Sequence, residues 1–311
     1  DLVTVGETWG ATPEIARRYS DPAGDEFSMV FQFEHIGLDQ KPGGEKWDLA
    51  PLRLQDLKQV LSKWQTELYC RGWNSLFWNN HDLPRIVSRW GNDGAYREAS
   101  AKMLATLLYG LQGTPYIYQG EELGMTNVPF QSLDDFRDIE SINAYHEYTQ
   151  SGQIAPEDMM RYLHYKSRDN ARTPMQWNNT ANAGFTTGTP WIMVNPNYPK
   201  INAKEQVERP DSIFHYYQKL IKLRKAHEII VYGSYQLLLP DDPNLYVYTR
   251  ELAEEKLLVI CNFTDTRQSF TLPSDWNSDQ MHCLIANYPE RVPEKQMLLN
   301  PYEALVYQTK I

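Results

Sequence analysis

The sequence has few cysteines, no long apolar run and no basic cluster, and each shortage excludes a class of protein. Its 3 cysteines, Cys70, Cys261 and Cys283, are widely spaced and odd in number, which predicts free thiols and argues against a disulfide framework or a cysteine metal site. No apolar stretch approaches the roughly 18 residues of a membrane span, so no membrane partner is expected. With 40 acidic against 30 basic residues, the formal net charge is −10, which argues against nucleic acid as a partner.

The first part of the chain alternates between strand-like and helix-like patterns. Apolar and β-branched runs predict strands at residues 3–5, 27–33, 74–78 and 114–118. Apolar residues three and four apart predict helices near residues 13–19, 54–68 and 101–111. Four strands alternating with helices predict an α/β fold with a parallel sheet, equal to half of a (β/α)8 TIM barrel. We assign this domain to residues 1–228.

The pattern changes in the rest of the chain. Residues 121–209 are polar and interrupted by prolines, and a segment of this length inside a compact domain is usually functional. We therefore expect an ordered excursion with short helices that faces the substrate, followed by a helix over residues 213–223. From residue 229 short β-rich runs alternate with turn residues, which predicts a second, all-β domain over residues 229–311, folded as a small antiparallel β-sandwich.

Polar side chains collect where two of the predicted strands end. Residues 79–85, Asn-Asn-His-Asp-Leu-Pro-Arg, follow one strand, and Glu7 follows another. In a barrel, the carboxyl ends of the strands form the rim that carries the site. Glu7 and Asp82 together supply what glycosidic cleavage needs, one acid to protonate the leaving oxygen and one group to stabilise positive charge on the sugar. The alternatives are a helix-capping or solvated Glu7 and a polar strand-to-loop corner at residues 79–85.

Five motifs occur along the chain in an order typical of one enzyme family. They are Val5-Gly6-Glu7, Phe31-Gln32-Phe33-Glu34-His35, Asn80-His81-Asp82, Gln119-Gly120-Glu121-Glu122-Leu123-Gly124-Met125 and Arg168-Asp169-Asn170-Ala171-Arg172-Thr173-Pro174-Met175-Gln176-Trp177. On these motifs the sequence resembles α-glucosidases of the α-amylase superfamily, in particular the oligo-1,6-glucosidase and glucan 1,6-α-glucosidase (dextran glucosidase) branch. The resemblance implies a retaining exo-α-glucosidase that releases glucose from α-1,6-linked isomalto-oligosaccharides or dextran. We expect no cofactor and no metal site in this chain, and the resemblance together with the free thiols implies a cytoplasmic location.

The resemblance assigns catalytic roles to residues of the strand ends. Glu7 would be the general acid/base, and Asp82 would bind ring hydroxyls and steady the oxocarbenium-like transition state. An acid in this role needs a raised pKa and hence an enclosed, partly apolar site, whose walls Trp9 and Trp78 could supply. His81 would hydrogen-bond the sugar, although a structural histidine is the other interpretation, as it is for His35 of the second motif.

Further residues are implied to bind the substrate. Arg168 would help to clamp the non-reducing-end glucose, while Arg172, which would share its helix face, could pair with a carboxylate of the site. Lys46 and Glu140 match residues that line the +1 subsite in the 1,6-specific branch, and exposed charges are the alternative. For the adjacent pair Glu121 and Glu122, we expect at least one to be a solvated loop charge.

The sequence departs from the family at the nucleophile. In the family this residue is an aspartate on the fourth barrel strand, within a Gly-Phe-Arg-x-Asp type sequence, and no such sequence occurs here. The chain begins without Met at what resembles strand five, so we expect it to be the C-terminal part of a longer enzyme, carrying strands five to eight of the barrel. By itself it is expected to be inactive, and to self-associate or to pair with the missing N-terminal fragment.

Other functions on the same scaffold stay open at this point. They are a maltase-like α-1,4-glucosidase, a trehalose-6-phosphate hydrolase and a non-catalytic barrel relative. The presence of both Glu7 and Asp82 disfavours the non-catalytic relative. A sucrose isomerase is disfavoured because the Arg-Leu-Asp-Arg-Asp stretch associated with those enzymes does not occur between His35 and Trp73.

Overall fold

A computed structural model describes residues 2–310, and four short strands in its first part run parallel to one another. They are β1 (Val5–Glu7), β2 (Met29–Phe31), β3 (Ser75–Leu76) and β4 (Thr114–Pro115). β1 pairs with β2 and β3 pairs with β4, while a parallel bridge between Val30 and Asn74 connects the two pairs. The strands therefore follow one another in the predicted parallel arrangement, although each regular segment is no longer than three residues.

Helices separate and follow these strands. They are α1 (Pro13–Tyr19), α2 (Leu54–Leu68), α3 (Ile86–Arg89), α4 (Arg97–Tyr109), α5 (Ile139–Gln150), α6 (Pro156–Lys166), α7 (Asp169–Arg172), α8 (Ala203–Glu208), α9 (Ile213–Ala226) and α10 (Glu228–Tyr232). Helix α1 begins where predicted, because Thr12 accepts a hydrogen bond from the amide of Ile15 and Pro13 fits the first turn. Within residues 2–310 no helix has the length and apolar character needed to cross a membrane.

The polar excursion after β4 is ordered. Helices α5 and α6 pack on each other, and their apolar faces enclose a separate core cluster with the loops on either side. This cluster includes Trp47, Phe130, Phe136, Met159 and Leu163. Since Trp47 comes from the loop between β2 and α2, the cluster attaches the excursion to the parallel strands.

The last part of the structure is an antiparallel β-structure of two sheets. Its strands are β5 (Ser234–Leu238), β6 (Leu245–Leu252), β7 (Glu255–Asn262), β8 (Gln268–Thr271), β9 (His282–Ala286), β10 (Gln296–Leu299) and β11 (Ala304–Lys310). Five of them form one sheet in the order β5-β6-β7-β11-β9, and β8 pairs with β10 in the other. The boundary that we predict after residue 228 falls within α10, and the antiparallel strands begin at Ser234.

Both faces of the five-stranded sheet are buried. One face carries Val247 and Leu258, which belong to a core cluster with Phe270 and Leu299 of the two-stranded sheet. The other face, which includes Tyr248 and Val259, belongs to a single large core with α4 and α9. The central strands β6 and β7 therefore have apolar runs without the alternation of a half-exposed strand, and the β-structure shares its core with the helices.

A close approach at Gly110 marks this shared core. The hydroxyl of Tyr248 donates a hydrogen bond to the carbonyl of Leu107 at 2.8 Å, just before α4 ends. A Cβ atom at Gly110 would lie 2.1 Å from the same hydroxyl oxygen. Only glycine leaves room for the tyrosine to reach the helix at this point.

Candidate active site

A cavity of about 280 Å³ lies at the carboxyl end of β1, beside the loop that follows β3. Its lining includes five predicted site residues, namely Glu7, Lys46, Asp82, Glu140 and Arg168. They come from five separate stretches of the chain, and the fold brings them together around one space. The sixth predicted residue, His81, has a side chain that is 66 % exposed, and its Nε2 lies 3.3 Å from Oδ2 of Asp82. His81 is thus beside the cavity and is absent from its lining.

Glu7 ends β1 and reaches the cavity together with Trp9. The indole Nε1 of Trp9 donates a hydrogen bond to Glu7 Oε1 at 3.0 Å, and the Trp9 ring stacks on Phe33 with 4.0 Å between ring centroids. Glu7 remains exposed, so residues 2–310 do not by themselves enclose it. Trp9 therefore fixes the position of the carboxylate and supplies one apolar wall of the cavity.

The predicted role of Trp78 as a second wall is wrong. Its side chain is only 1 % exposed and lies in the main core. The indole Nε1 donates to the carbonyl of Leu104 in α4 at 2.9 Å. Successive side chains of an extended segment point to opposite sides, and Trp78 is on the side that faces the helices.

Asp82 is held by two arginines on one side of the cavity. Arg172 Nη2 lies 2.6 Å and Arg168 Nη1 lies 3.3 Å from the same oxygen, Oδ1. Arg172 Nε also donates to the carbonyl of His81 at 2.9 Å. Arg168 directly precedes the short helix α7 and Arg172 is its last residue, and the two share a face, as their spacing predicted. Asp82 is therefore oriented by two charge-assisted hydrogen bonds, the shorter of which comes from Arg172.

A chain of alternating charges extends from Asp82 to Lys46. Arg168 Nε lies 3.0 Å from Asp138 Oδ1 and 3.3 Å from Glu140 Oε2, and Lys46 Nζ lies 2.7 Å from the same Glu140 oxygen. Burial alone would raise the pKa of Asp138, but its hydrogen bond and ion pair with Arg168 outweigh this effect and lower that pKa. Lys46 and Glu140 are thus partners at the cavity, which argues against isolated exposed charges.

A buried ionic triad that the sequence did not predict lies against the same cavity. Asp39 accepts from Arg89 Nε and Nη2, both at 2.7 Å, and also from Lys166 Nζ. The three side chains are at most 3 % exposed. Burial would raise the pKa of Asp39, but the hydrogen bond and charge of Arg89, together with Lys166, hold it at about 2. Burial, followed by the charge of Arg89, lowers the pKa of Lys166 to about 8.

Two residues from the recognised motifs are structural. The His35 ring accepts from Gln32 Nε2 at 2.8 Å and lies 3.2 Å from the carbonyl of Phe77, and burial lowers its pKa to about 3. At least one of Glu121 and Glu122 was expected to be a solvated charge, but Glu121 is buried and Glu122 is half-buried. Glu121 accepts hydrogen bonds from Asn79 and Tyr217 at 2.7 and 2.9 Å. Burial raises the pKa of Glu121 to about 7.

Within the part of the chain that the structure describes, no group of three or more His, Cys, Asp or Glu side chains is arranged to hold a metal ion.

Known protein families match both parts of this architecture. Residues 1–233 match the α-amylase catalytic domain, and residues 245–306 match the C-terminal domain of the α-amylase SusG. The chain belongs to the α-amylase family. The family resemblance drawn from the five motifs is thereby confirmed, and the fold is that of an α-amylase family member with a C-terminal antiparallel β-sheet domain.

Individual α-amylase family members are similar along the whole chain. The oligo-1,6-glucosidase of Parageobacillus thermoglucosidasius is 56 % identical over 313 residues, covering 100 % of this chain and 56 % of that protein. The glucan 1,6-alpha-glucosidase of Streptococcus pneumoniae is 51 % identical over 306 residues, covering 98 % and 56 %. The crystal structure of Bacillus licheniformis trehalose-6-phosphate hydrolase matches with a TM-score of 0.94 and 51 % identity, covering 99 % and 56 %. The chain thus spans little more than half the length of these relatives.

Proposed function

We propose that this chain forms strands five to eight of a (β/α)8 barrel in a retaining exo-α-glucosidase. The complete protein would release glucose from α-1,6-linked isomalto-oligosaccharides or dextran, in the cytoplasm. The parallel order β1-β2-β3-β4 supports the half-barrel. The substrate class rests on the ion pair of Lys46 and Glu140, which lines the same cavity as Glu7 and Asp82 and matches the +1 subsite of 1,6-specific relatives.

The proposed mechanism uses two carboxylates of this chain. Glu7 protonates the glycosidic oxygen of the leaving sugar, and Asp82, oriented by Arg168 and Arg172, stabilises the positive charge that develops on the glucose ring. A nucleophilic aspartate from a segment outside this chain attacks the anomeric carbon. Glu7 then removes a proton from water, which releases glucose with retained configuration.

The charges around the cavity favour a neutral substrate over a phosphorylated one. Five carboxylates and five cations line the cavity or pair with a residue that does, namely Glu7, Asp39, Asp82, Asp138 and Glu140 with Lys46, Arg89, Lys166, Arg168 and Arg172. Each of these cations lies within 4.0 Å of one of the carboxylates. A phosphate group would add negative charge to a set of side chains whose formal charges already balance, and this observation favours isomaltose over trehalose 6-phosphate.

The test compares substrates of the complete protein. We expect kcat/KM to be higher for isomaltose than for maltose or trehalose 6-phosphate. Lys46→Ala should lower the ratio of kcat/KM for isomaltose to kcat/KM for maltose, because the variant removes the cation of the 2.7 Å ion pair between Lys46 and Glu140. A higher efficiency with maltose would favour the α-1,4-glucosidase, and a higher efficiency with trehalose 6-phosphate would favour that hydrolase. Activity with none of the three would favour a non-catalytic relative.

Exposed apolar side chains on the outer strands support a partner for the half-barrel. Leu2 and Val3 before β1 are 86 % and 67 % exposed, and Val5 in β1 and Ile117 after β4 are each 38 % exposed. Strand edges with exposed apolar side chains favour association. We propose that the isolated chain self-associates or pairs with a fragment carrying the other strands, and that by itself it does not hydrolyse p-nitrophenyl α-glucoside.

A further inference from the structure

The buried triad of Asp39, Arg89 and Lys166 contains more hydrogen-bond donors than it uses. One carboxylate faces two cations, although one cation would neutralise it. Arg89 Nη1 is buried without a hydrogen-bond partner, and the Lys166 ammonium has three N–H groups, of which the structure pairs one, with Asp39. A buried donor without a partner costs about 1–3 kcal/mol. Such a cost is expected where the donor serves a ligand.

The spare donors belong to residues that line the cavity. Arg89 and Lys166 both line it, together with Gln40, Lys46 and Glu140. Asp39 holds both cations in place, because it accepts two hydrogen bonds from Arg89 and one from Lys166. The guanidinium is fixed further by the Ile36 carbonyl, which accepts a hydrogen bond from Nη2 at 2.5 Å. The donors are thus preorganised on rigid side chains, as a binding site requires.

The triad belongs to the Lys46 side of the cavity. Asp39 precedes the bridge between Gln40 and Leu49, which closes the loop that carries Lys46. Lys166 ends α6 and lies close enough to Lys46 for the charge of Lys46 to contribute to its lowered pKa. In the proposed mechanism this side receives the leaving sugar. Arg89 and Lys166 therefore border the part of the cavity in which the hydroxyl groups of that sugar would lie.

We propose that Arg89 and Lys166 are specificity-determining residues that donate hydrogen bonds to hydroxyl groups of the leaving sugar. Asp39 is their positioning residue. A neutral hydroxyl fits because the triad already contains one carboxylate and the cavity as a whole is balanced in charge. This inference rests on the proposed glucosidase function and extends it to residues that none of the five motifs contains.

The experiment compares two substrates of the complete enzyme. Isomaltose has hydroxyls on its leaving group, whereas p-nitrophenyl α-glucoside has none. We expect Arg89→Lys and Lys166→Gln each to lower kcat/KM for isomaltose roughly tenfold or more, as the loss of a hydrogen bond to a charged group predicts. For the aryl glucoside we expect a change of less than about threefold, because the reacting groups stay in place.

A matched control separates binding from folding. Arg85 is also fully buried, but it donates to the carbonyls of Gln119, Asn170 and Ala171 and is absent from the cavity lining. Arg85→Lys should therefore lower the efficiency with both substrates by the same factor. Equal losses on both substrates in the Arg89 and Lys166 variants, or no loss in either, would overturn the inference.

The outcomes also distinguish this inference from the proposed function. If the unaltered complete enzyme cleaves neither substrate, the glucosidase function is wrong and the inference is overturned with it. If it cleaves both and the variants show no selectivity, only the inference is overturned. Should Arg89→Lys fail to fold, Lys166→Gln decides, because it leaves the neutral pair of Asp39 and Arg89 intact.

Discussion

The burial of Glu121 predicts that the free energy of unfolding depends on pH. Its carboxylate is 3 % exposed and accepts hydrogen bonds from Asn79 and Tyr217. These contacts favour the charged form, but burial outweighs them and raises the pKa from 4.5 to about 7. At about 1.4 kcal/mol per unit of pKa, a shift of this size corresponds to roughly 3 kcal/mol that disfavour the folded state at neutral pH.

The direction of the pH dependence follows from the number of protons bound to the folded and to the unfolded protein. Between pH 4.5 and about 7 the folded protein holds a proton on Glu121 that the unfolded chain has released. Raising the pH through this window therefore lowers the free energy of unfolding, and the cost is fully present above pH 7. Glu121→Gln removes the titration and keeps both contacts, because its amide oxygen can accept from Asn79 and its amide nitrogen can donate to the Tyr217 hydroxyl.

The assay is urea unfolding of the unaltered protein and of Glu121→Gln at several pH values between 4.5 and 8. We expect the variant to gain stability over the unaltered protein as the pH rises, by roughly 3 kcal/mol across the window. Subtracting the free energy of unfolding of one protein from that of the other removes the contribution of the titrating groups that both proteins share. Glu254→Gln, at an exposed position, is the matched control and should give a flat difference. A difference for Glu121→Gln that does not change with pH would refute the reasoning.

Three further predictions concern packing, the site and assembly. Gly110→Ala should destabilise the protein by about 1–3 kcal/mol in urea unfolding, because the new methyl group overlaps Tyr248. Gly188→Ala is the control and should not change the stability, because the nearest atom to a Cβ at this position is 3.7 Å away. Asp138→Ala should lower the free energy of unfolding by about 1 kcal/mol, since it removes the N-cap of α5. It should also lower kcat/KM of the complete protein, because Arg168 loses its 3.0 Å contact with Asp138. In light scattering the isolated chain should be larger than a monomer, and a compact monomer would contradict the proposed half-barrel partner.

Local signals predicted the helices better than the strands. Thr12, Pro13 and the apolar stripe of α2 fixed the positions of two helices, because capping and periodicity act within a few residues. The strands β3 and β4 have two regular residues each, where the sequence suggested five. Strand length depends on hydrogen bonds to a neighbouring strand, and that neighbour is distant in sequence.

The sequence motifs predicted part of the candidate site, but the buried charged residues beside it were not predicted. Glu7, Asp82 and Arg168 lie in motifs whose composition indicates chemistry, and the fold brings them to one cavity. Asp39 and Arg89 are 50 residues apart and lie outside those motifs. A charged residue looks the same in sequence whether it is solvated or buried against a distant partner. The same reason explains why Glu121 was not recognised as buried.

The position of β11 has a consequence for how the protein is made. The sheet order places β11 between β7 and β9, and Val306 belongs to the core shared with α4 and α9. A ribosome synthesises β11 after every other strand described here, so these helices emerge long before the sheet that covers them is complete. The nascent chain must therefore carry an uncovered apolar helix surface from the synthesis of α4 until β11 is made. Chaperones that bind such surfaces would act on this protein before its synthesis ends.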